Sequence, residues 1–544
     1  MKNLISVILC LTSLSLNANN ISWSELIPSK RTGPQPIIIS QNDNYVYLLR
    51  TLKRNIYIDE YNIDDLYRTH SKEIILEYKN ETLIFLNSYE FGKKLILLST
   101  NYNKKNKQYY FFLHELNRSN LQLSLPKPIG SCYLSEKIDV QRNKTLKFSG
   151  FNELDGAGIT HYYIPFFLLY SNSLARKFHI SSNSKLGYFI YPKNSKANKN
   201  SKSAQGLLFE SSLENLIENE IQLPYPDQEF MMIKSELGNN GIFYLLGYNL
   251  LEDKSPMPNI VKLNSKVQDA WIIAINTKSN EIKKVKIDAA KNIQSISFTV
   301  ASNNKICVMW LTKDIDDNIT GLSNILFDEH LEKANSEHIN FKDDFIKEHG
   351  TVYKKNREPK LINYHINQII ENENGDFTML AENYYVIVKT YEGSQSQISQ
   401  TSYHYHHNDI ILINHDSIGQ FKWKSVVKKR QVAFNDNGYH SSYFLINEDN
   451  HLNIIFNKVI AENFDESKTS TYTSNTALEK VSALQVKIDK NGNQKKSVFY
   501  RYDDTEKLKL VPRYFSYDSN KKRVNLYATM DKKGVKIGSM VLTQ

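Results

Sequence analysis

Gly241-Ile242-Phe243-Tyr244-Leu245-Leu246-Gly247 is a short run of apolar and aromatic residues closed by glycine on both sides. Lys305-Ile306-Cys307-Val308-Met309-Trp310 and Arg523-Val524-Asn525-Leu526-Tyr527-Ala528 repeat it later in the chain, and Val46-Tyr47-Leu48-Leu49 and Lys94-Leu95-Ile96-Leu97-Leu98 earlier. Runs of this length, rich in β-branched and aromatic side chains, fit a pleated sheet surface better than a helix. Each is followed by a polar turn holding Gly, Asn or Asp and then by a second run, which is the signature of an antiparallel hairpin.

Outward from these runs the chain divides into strand-rich units. They run from Ile37 to about Tyr78, Leu83 to about Leu125, Leu146 to the edge before Pro224, and Phe230 to Ile287. Three more run from Ile296 to about Phe341, Ile366 to Val427, and Tyr443 to Tyr500. The spacing of roughly 45 to 65 residues suits four-stranded blades of about 40 to 50 residues carrying insertions. The expected fold is all-β: a β-propeller of about seven blades, with eight as the alternative, each a four-stranded antiparallel sheet. A remainder from Tyr514 to Leu542 lacks a strand. The ring is therefore expected to close by joining N- and C-terminal strands in one blade. A β-sandwich pair or a solenoid is the competing architecture.

Composition agrees with repeated sheet. Hydrophobic residues make up 41% of the 544, with 34 Tyr and 25 Phe, which excludes a disordered chain. Helical periodicity is confined to Leu213–Glu220 and Asp343–His349, both read as helical decorations on loops. The segments 192–204 and 463–476 are too polar to bury a core and read as long loop insertions in a single propeller domain spanning 19–544.

Residues 1–18 read as a signal peptide. Lys2 supplies the positive start, Leu4 to Leu16 the apolar stretch, and Leu16-Asn17-Ala18 a cleavage site ending in a small residue. That stretch is too short to span a bilayer, so no transmembrane segment is expected. Cys10 falls within the signal, leaving Cys132 and Cys307. Cys307 sits in an apolar run and reads as a buried free thiol, although export permits the two to pair.

The net charge is +10, or +9 without Lys2. Positive residues cluster in Lys104-Lys105-Asn106-Lys107, Lys193 through Lys202, Lys428-Lys429-Arg430 and Lys521-Lys522-Arg523. Such runs read as solvated loop tips that guard sheet edges. Their functional reading is attraction to an anionic surface or glycan. Nucleic acid is not an expected partner, since no nucleic-acid motif accompanies the charge.

Chemistry-bearing motifs are few. Tyr403-His404-Tyr405-His406-His407 places His404 and His406 on one face of a strand and His407 on the other. Two imidazoles alone do not make a metal site, and the stretch reads as a Tyr-rich hairpin strand. Asp314-Ile315-Asp316-Asp317-Asn318 fails as a calcium loop because Ile319 stands where Gly is needed and Ile325 where Glu is needed. Asp155-Gly156-Ala157-Gly158 reads as a Gly-rich turn. No nucleophile elbow, zinc-protease helix, Cys-x-x-Cys pair or phosphate loop is present in the sequence. Neither a cofactor nor a metal is expected. An active site assembled from single residues of several blades would leave no local trace, so enzymatic activity stays open, with a non-enzymatic protein as the reading taken.

The block Asp376-Phe377-Thr378-Met379-Leu380-Ala381-Glu382-Asn383-Tyr384-Tyr385 is followed by Asn408-Asp409-Ile410-Ile411-Leu412-Ile413, Gly419-Gln420-Phe421-Lys422-Trp423 and Lys428-Lys429-Arg430-Gln431. Over about residues 366–445 this resembles uncharacterised exported β-propeller-like proteins of the Bacteroidetes. The resemblance implies an exported propeller in the periplasm or at the outer membrane, with an extracellular place also open. It implies a Tyr-rich hairpin whose aromatic surface matters more than metal binding, a turn at Gly419, and Trp423 packed between blades. It brings no activity with it.

The functional expectation is an exported, non-enzymatic propeller scaffold that binds a protein or cell-envelope partner. Its candidate binding surface is Tyr403, His404, Tyr405, His406, Lys428, Lys429 and Arg430. A glycan-binding or glycan-cleaving propeller with a site at the central channel is the alternative.

Overall fold

Strands buried on both faces and strands buried on one face alternate along the chain. The computed structural model describes residues 21–28, 36–42, 44–52, 55–133, 177–193, 202–225, 230–250, 267–287, 292–350, 358–391, 400–435, 438–448, 451–459, 481–530 and 533–542. Ile306–Lys313 is buried at six consecutive positions, whereas Lys333–Asn340 in the same sheet alternates exposed and half-buried. A strand sandwiched between neighbouring sheets needs apolar side chains on both faces, and an outer strand on one at most.

Among the described residues the strands form eight antiparallel sheets of four or more strands, numbered 1 to 8 by first strands that begin at Ile37, Ile84, Phe178, Phe230, Ile293, Tyr364, Phe444 and Leu508; in the first seven, four successive strands form a meander. The first strands of sheets 1 and 2, 3 and 4, 4 and 5, and 5 and 6 approach one another, which puts the first strand innermost and the fourth outermost in these sheets. Apolar side chains fill each gap. Leu49 and Leu97 join sheets 1 and 2, Phe91 and Phe189 sheets 2 and 3, and Tyr188 and Phe243 sheets 3 and 4. Tyr244 and Phe298 join sheets 4 and 5, Met309 and Met379 sheets 5 and 6, and Leu412 and Ile454 sheets 6 and 7. One further cluster holds Ile455 of sheet 7, Leu526 of sheet 8 and Leu48 of sheet 1.

The blade count is eight, not about seven. The C-terminal remainder is a sheet in its own right: Leu508–Leu510, Arg523–Met530 and Gly534–Val541, with Ser516–Asp518 paired to the second. Its outer strand comes from the N-terminus, where Ser22–Trp23 and Ile27–Pro28 both pair with Gly534–Val541. A sheet whose fourth strand lies some 500 residues away leaves only a fragment in the local sequence.

Other expectations meet mixed outcomes. Asp343–His349 is an α-helix. Leu213–Glu220 is not: Asn215–Gln222 is the outer strand of sheet 3, exposed at alternate polar positions. Its Leu and Ile spacing suits a helix, but pairing with Ser203–Glu210 claims the backbone hydrogen bonds. The insertion expected at 192–204 is shorter, because Pro192 and Ala204 are paired strand residues. Residues 194–201, the insertion at 463–476, the signal peptide, the turn at 155–158 and the apolar run at 162–169 lie outside the described residues. Cys132 and Cys307 are buried free thiols. Trp423 packs at the interface of sheets 6 and 7, its indole donating to the Lys490 carbonyl at 2.8 Å. Among the described residues no helix is long and apolar enough to cross a membrane.

Candidate functional site: the arm of sheet 6 and its charged root

In a four-stranded meander the connection from second to third strand and the connection leading to the next sheet lie at the same end. The second and third strands of sheet 6, Phe377–Tyr391 and Gln400–His415, are 15 and 16 residues long. They stay paired from Phe377↔His415 to Tyr391↔Gln400. The first strand stops pairing at Asn383 and the fourth at Ile410. The hairpin therefore leaves the sheet as an arm, and the register shifts between Glu382 and Tyr384 where it departs. A bulge there adds twist and turns the arm away from the sheet plane. Gln431–Phe434 lies along His404–His407 as a third strand.

The arm has two faces. On one, Tyr384, Tyr405 and Ala433 form a small core with Val386 and Tyr403 against it. On the other, Tyr385 stacks on His406 at 4.4 Å between centroids, and His404 meets Phe434 edge-on at 4.3 Å. Ile387, opposite His404, is 41% exposed. His404 and His406 share this face and His407 takes the other, as strand alternation requires. No group of three His, Cys, Asp or Glu side chains among the described residues could hold a metal ion.

The root of the arm is charged and sealed. Lys429 Nζ donates to Glu382 Oε1 at 2.5 Å, with their side chains 0% and 1% exposed. The His407 ring Nδ1 lies 3.2 Å from Glu382 Oε2, and Ser442 Oγ donates to that oxygen at 3.1 Å. Burial alone would raise the Glu382 pKa, but the ammonium of Lys429 and the hydrogen bonds from His407 and Lys429 bring it down to about 2. Burial lowers His407 to about 4 against the pull of Glu382, and lowers Lys429 likewise. A neutral imidazole beside a carboxylate carries its proton on Nδ1, so Nε2 holds the lone pair. Gly438, at φ +64°, comes so close to this nitrogen that a Cβ would lie 2.7 Å from it.

From this root a chain of hydrogen bonds crosses three sheets. Lys429 donates to Gln431 Oε1 at 3.1 Å, Gln431 Nε2 to the Asn457 carbonyl at 2.9 Å, and Asn457 Nδ2 to the Leu510 carbonyl at 2.7 Å. Sheets 6, 7 and 8 are thus clamped where the arm begins.

Two of the expected surface residues are interior. Tyr405 is 2% exposed because it belongs to the arm's core, and Lys429 is buried because Glu382 draws it inward. Tyr403, His404 and His406 are half-buried, Lys428 is tied to Asp409 at 3.0 Å, and Arg430 is exposed. Glu382, Gln431, Ser442 and Asn457 escape a local reading because they come from separate strands. One signal was available: Glu382 interrupts the apolar run Met379-Leu380-Ala381, and a lone acid there announces a buried partner.

The same end collects most other elaborations. Lys104, Lys105 and Lys107 are exposed in the second-to-third turn of sheet 2, and Lys193 and Lys202 flank that connection in sheet 3. Lys428 and Arg430 lie between sheets 6 and 7. Lys521, Lys522 and Arg523 stand at the opposite end, where Arg523 bonds Asp64 at 2.9 Å and Lys522 meets Glu448 at 3.3 Å.

No protein-family model and no curated protein matches the chain. Solved structures with a similar trace include an uncharacterised protein of Listeria monocytogenes EGD-e, at 11% identity over 92% of this chain and 91% of that one, TM-score 0.36. Another is a polysaccharide lyase, at 9% identity over 94% and 100%, TM-score 0.36. A third is the Penicillium chrysogenum α-L-arabinanase complexed with arabinobiose, at 8% identity over 67% and 92%, TM-score 0.31. Likeness at this level says nothing of what this chain binds.

Proposed function

We propose that this chain is an exported β-propeller scaffold that binds an anionic component of the cell envelope through the end bearing the sheet 6 arm. The observation that carries the reading is the placement of exposed Lys104, Lys105, Lys107, Lys193, Lys202 and Arg430 at that end, which also bears an arm whose outer face offers Tyr385, His406, His404 and Phe434. Exposed lysines supply long-range attraction to an anionic surface. Aromatic rings with polar tips suit a boundary that is wet on one side and apolar on the other. The clamp of Glu382, Lys429 and His407 holds the arm in one orientation, which lowers the ordering cost of binding.

Closure of the eight sheets into a ring belongs to the same proposal. The apolar cluster shared by sheets 7, 8 and 1 and the pairing of Ser22–Trp23 with Gly534–Val541 support it. A place in the periplasm or at the outer membrane, and kinship with exported propeller-like proteins of the Bacteroidetes, are parts of the proposal that rest on the sequence.

Co-sedimentation of the purified protein with phosphatidylglycerol vesicles tests the reading. Binding that falls steeply with added salt supports it, and equal recovery with neutral phosphatidylcholine vesicles contradicts it.

A further inference from the structure

A groove of about 610 Å³ runs along the outside of the molecule between the outer strand of sheet 4, Ile282–Ile287, and the outer half of sheet 5. Ser323 and His338 line it. Ser323 is on the third strand of sheet 5 and His338 directly opposite on the fourth, with Trp310 opposite Ser323 on the second. Residues opposed in antiparallel pairs share a face, so the three side chains form one row.

The hydrogen bonds of the row have a fixed direction. Asn340 Oδ1 lies 3.0 Å from His338 Nε2. A carbonyl oxygen only accepts, so Nε2 carries the imidazole proton and Nδ1 the lone pair. Ser323 Oγ lies 2.7 Å from Nδ1 and must donate to it. A serine hydroxyl is thereby aimed at an imidazole lone pair, and the imidazole is oriented by a third side chain, as an activated nucleophile requires. The chain holds a second such contact, Ser99 with His114 Nε2 at 2.7 Å, but both of those residues are sealed in the core of sheet 2. His338 is exposed, and Ser323, though 8% exposed, reaches the groove wall.

The row also carries donors with no hydrogen-bond partner among the described residues. They are Trp310 Nε1 and, one row along on the same face, Thr312 Oγ1. Between Thr312 and Asn340 stands Gly321, where a Cβ would come within 3.2 Å of both His338 Cε1 and Thr312 Oγ1. The Ile339 carbonyl closes the same spot, so only glycine fits between the imidazole and Thr312. Across the groove lie Lys283, paired with Glu332, and Lys286, paired with Asp269 at 2.7 Å, while Lys333 and Glu337 are on the near side.

We propose that Ser323, His338 and Asn340 form a hydrolytic site for short-chain carboxylic esters. Ser323 Oγ adds to the ester carbonyl carbon as its proton passes to His338 Nδ1. The tetrahedral intermediate collapses, and the departing alkoxide takes that proton and leaves as the alcohol. Water then adds to the acyl-serine, giving a proton to Nδ1. Release of the carboxylic acid restores the Ser323 hydroxyl with that proton. Val285 and Phe327 offer an apolar wall to the acyl group. This site is independent of the binding end proposed above, and its test does not involve the arm.

The experiment is labelling of the full chain with a fluorophosphonate, read by peptide mass spectrometry, together with a p-nitrophenyl acetate assay. The expected result is an adduct on Ser323 and slow turnover of the ester. Ser323→Ala loses both. His338→Ala, checked by its thermal unfolding to be folded, reacts more slowly by about 100-fold or more, the contribution of a general base. Asn340→Ala slows labelling by freeing the imidazole to take the other tautomer, in which Nδ1 carries the proton and cannot accept from Ser323. An unlabelled Ser323 in the folded protein, labelling of another serine instead, or equal rates in wild type and His338→Ala would overturn the proposal.

Discussion

Lys429 Nζ sits 2.5 Å from Glu382 Oε1 with both side chains shut away from water, joining the segment after the fourth strand of sheet 6 to its second strand. Breaking a buried pair leaves the surviving charge without compensation. Lys429→Met should lower stability by about 3–5 kcal/mol, measured by denaturant unfolding. Glu382→Met combined with Lys429→Met should recover much of that loss, because no buried charge then remains. If the single and double variants unfold alike, the pair is not the joint described here.

Acidification should loosen the same region. Burial depresses His407 from 6.5 to about 4, so the unfolded chain takes up that proton first. The stability tied to neutral His407 is full above pH 6.5 and is lost as the pH falls toward 4. Glu382, held down from 4.5 to about 2, contributes stability that is full above pH 4.5 and disappears toward pH 2. His114 and His415, both lowered to about 4 mainly by burial, add to the first window. Melting temperature followed from pH 7 to pH 4 should fall, with His407→Gln removing on the order of one proton from the linkage. A flat profile across that window would contradict these assignments.

Gly438 is fixed by position as well as by backbone. Gly438→Ala puts a Cβ 2.7 Å from His407 Nε2 at a φ of +64°, and should destabilise by more than about 1 kcal/mol. Pairing it with His407→Ala removes the steric part and keeps the backbone part. The two changes should therefore be less than additive in calorimetry; strict additivity would place Gly438 elsewhere.

The N-terminal strand should matter to the last sheet. Trp23 lies flat against Gly538 and edge-on to Tyr500 at 6.2 Å between centroids. Trp23→Ala should cost on the order of 3 kcal/mol at most and raise hydrogen exchange along Gly534–Val541. Unchanged exchange there would detach Ser22–Trp23 from the sheet.

Much of the fold was legible because strand alternation is local. The runs at Val46, Lys94, Gly241, Lys305 and Arg523 are all second strands of their sheets. The count fell short because the last sheet keeps only part of its strands at the C-terminus, although the N-terminal partner strand expected for that remainder is present at residues 22–28. Asn215–Gln222 was misread because its apolar spacing suits a helix while its partner strand decides the matter. At the site, the Tyr/His hairpin and the Lys428-Lys429-Arg430 run were visible, but their burial was not. Lys429 turns inward only because Glu382, 47 positions earlier, lies opposite. The Ser323–His338–Asn340 row was invisible for the same reason, since pairing between two strands creates it.

The central claim is that one end of the propeller is the binding end, and comparison of the two ends tests it most directly. Vesicle co-sedimentation would be measured for Lys104→Glu, Lys105→Glu and Lys107→Glu combined, and for Lys521→Glu with Lys522→Glu at the opposite end. The account predicts that the first set weakens binding to phosphatidylglycerol vesicles by about 1 kcal/mol per lysine, while the second leaves it unchanged. Equal losses from both ends, or loss from the second set alone, would contradict it.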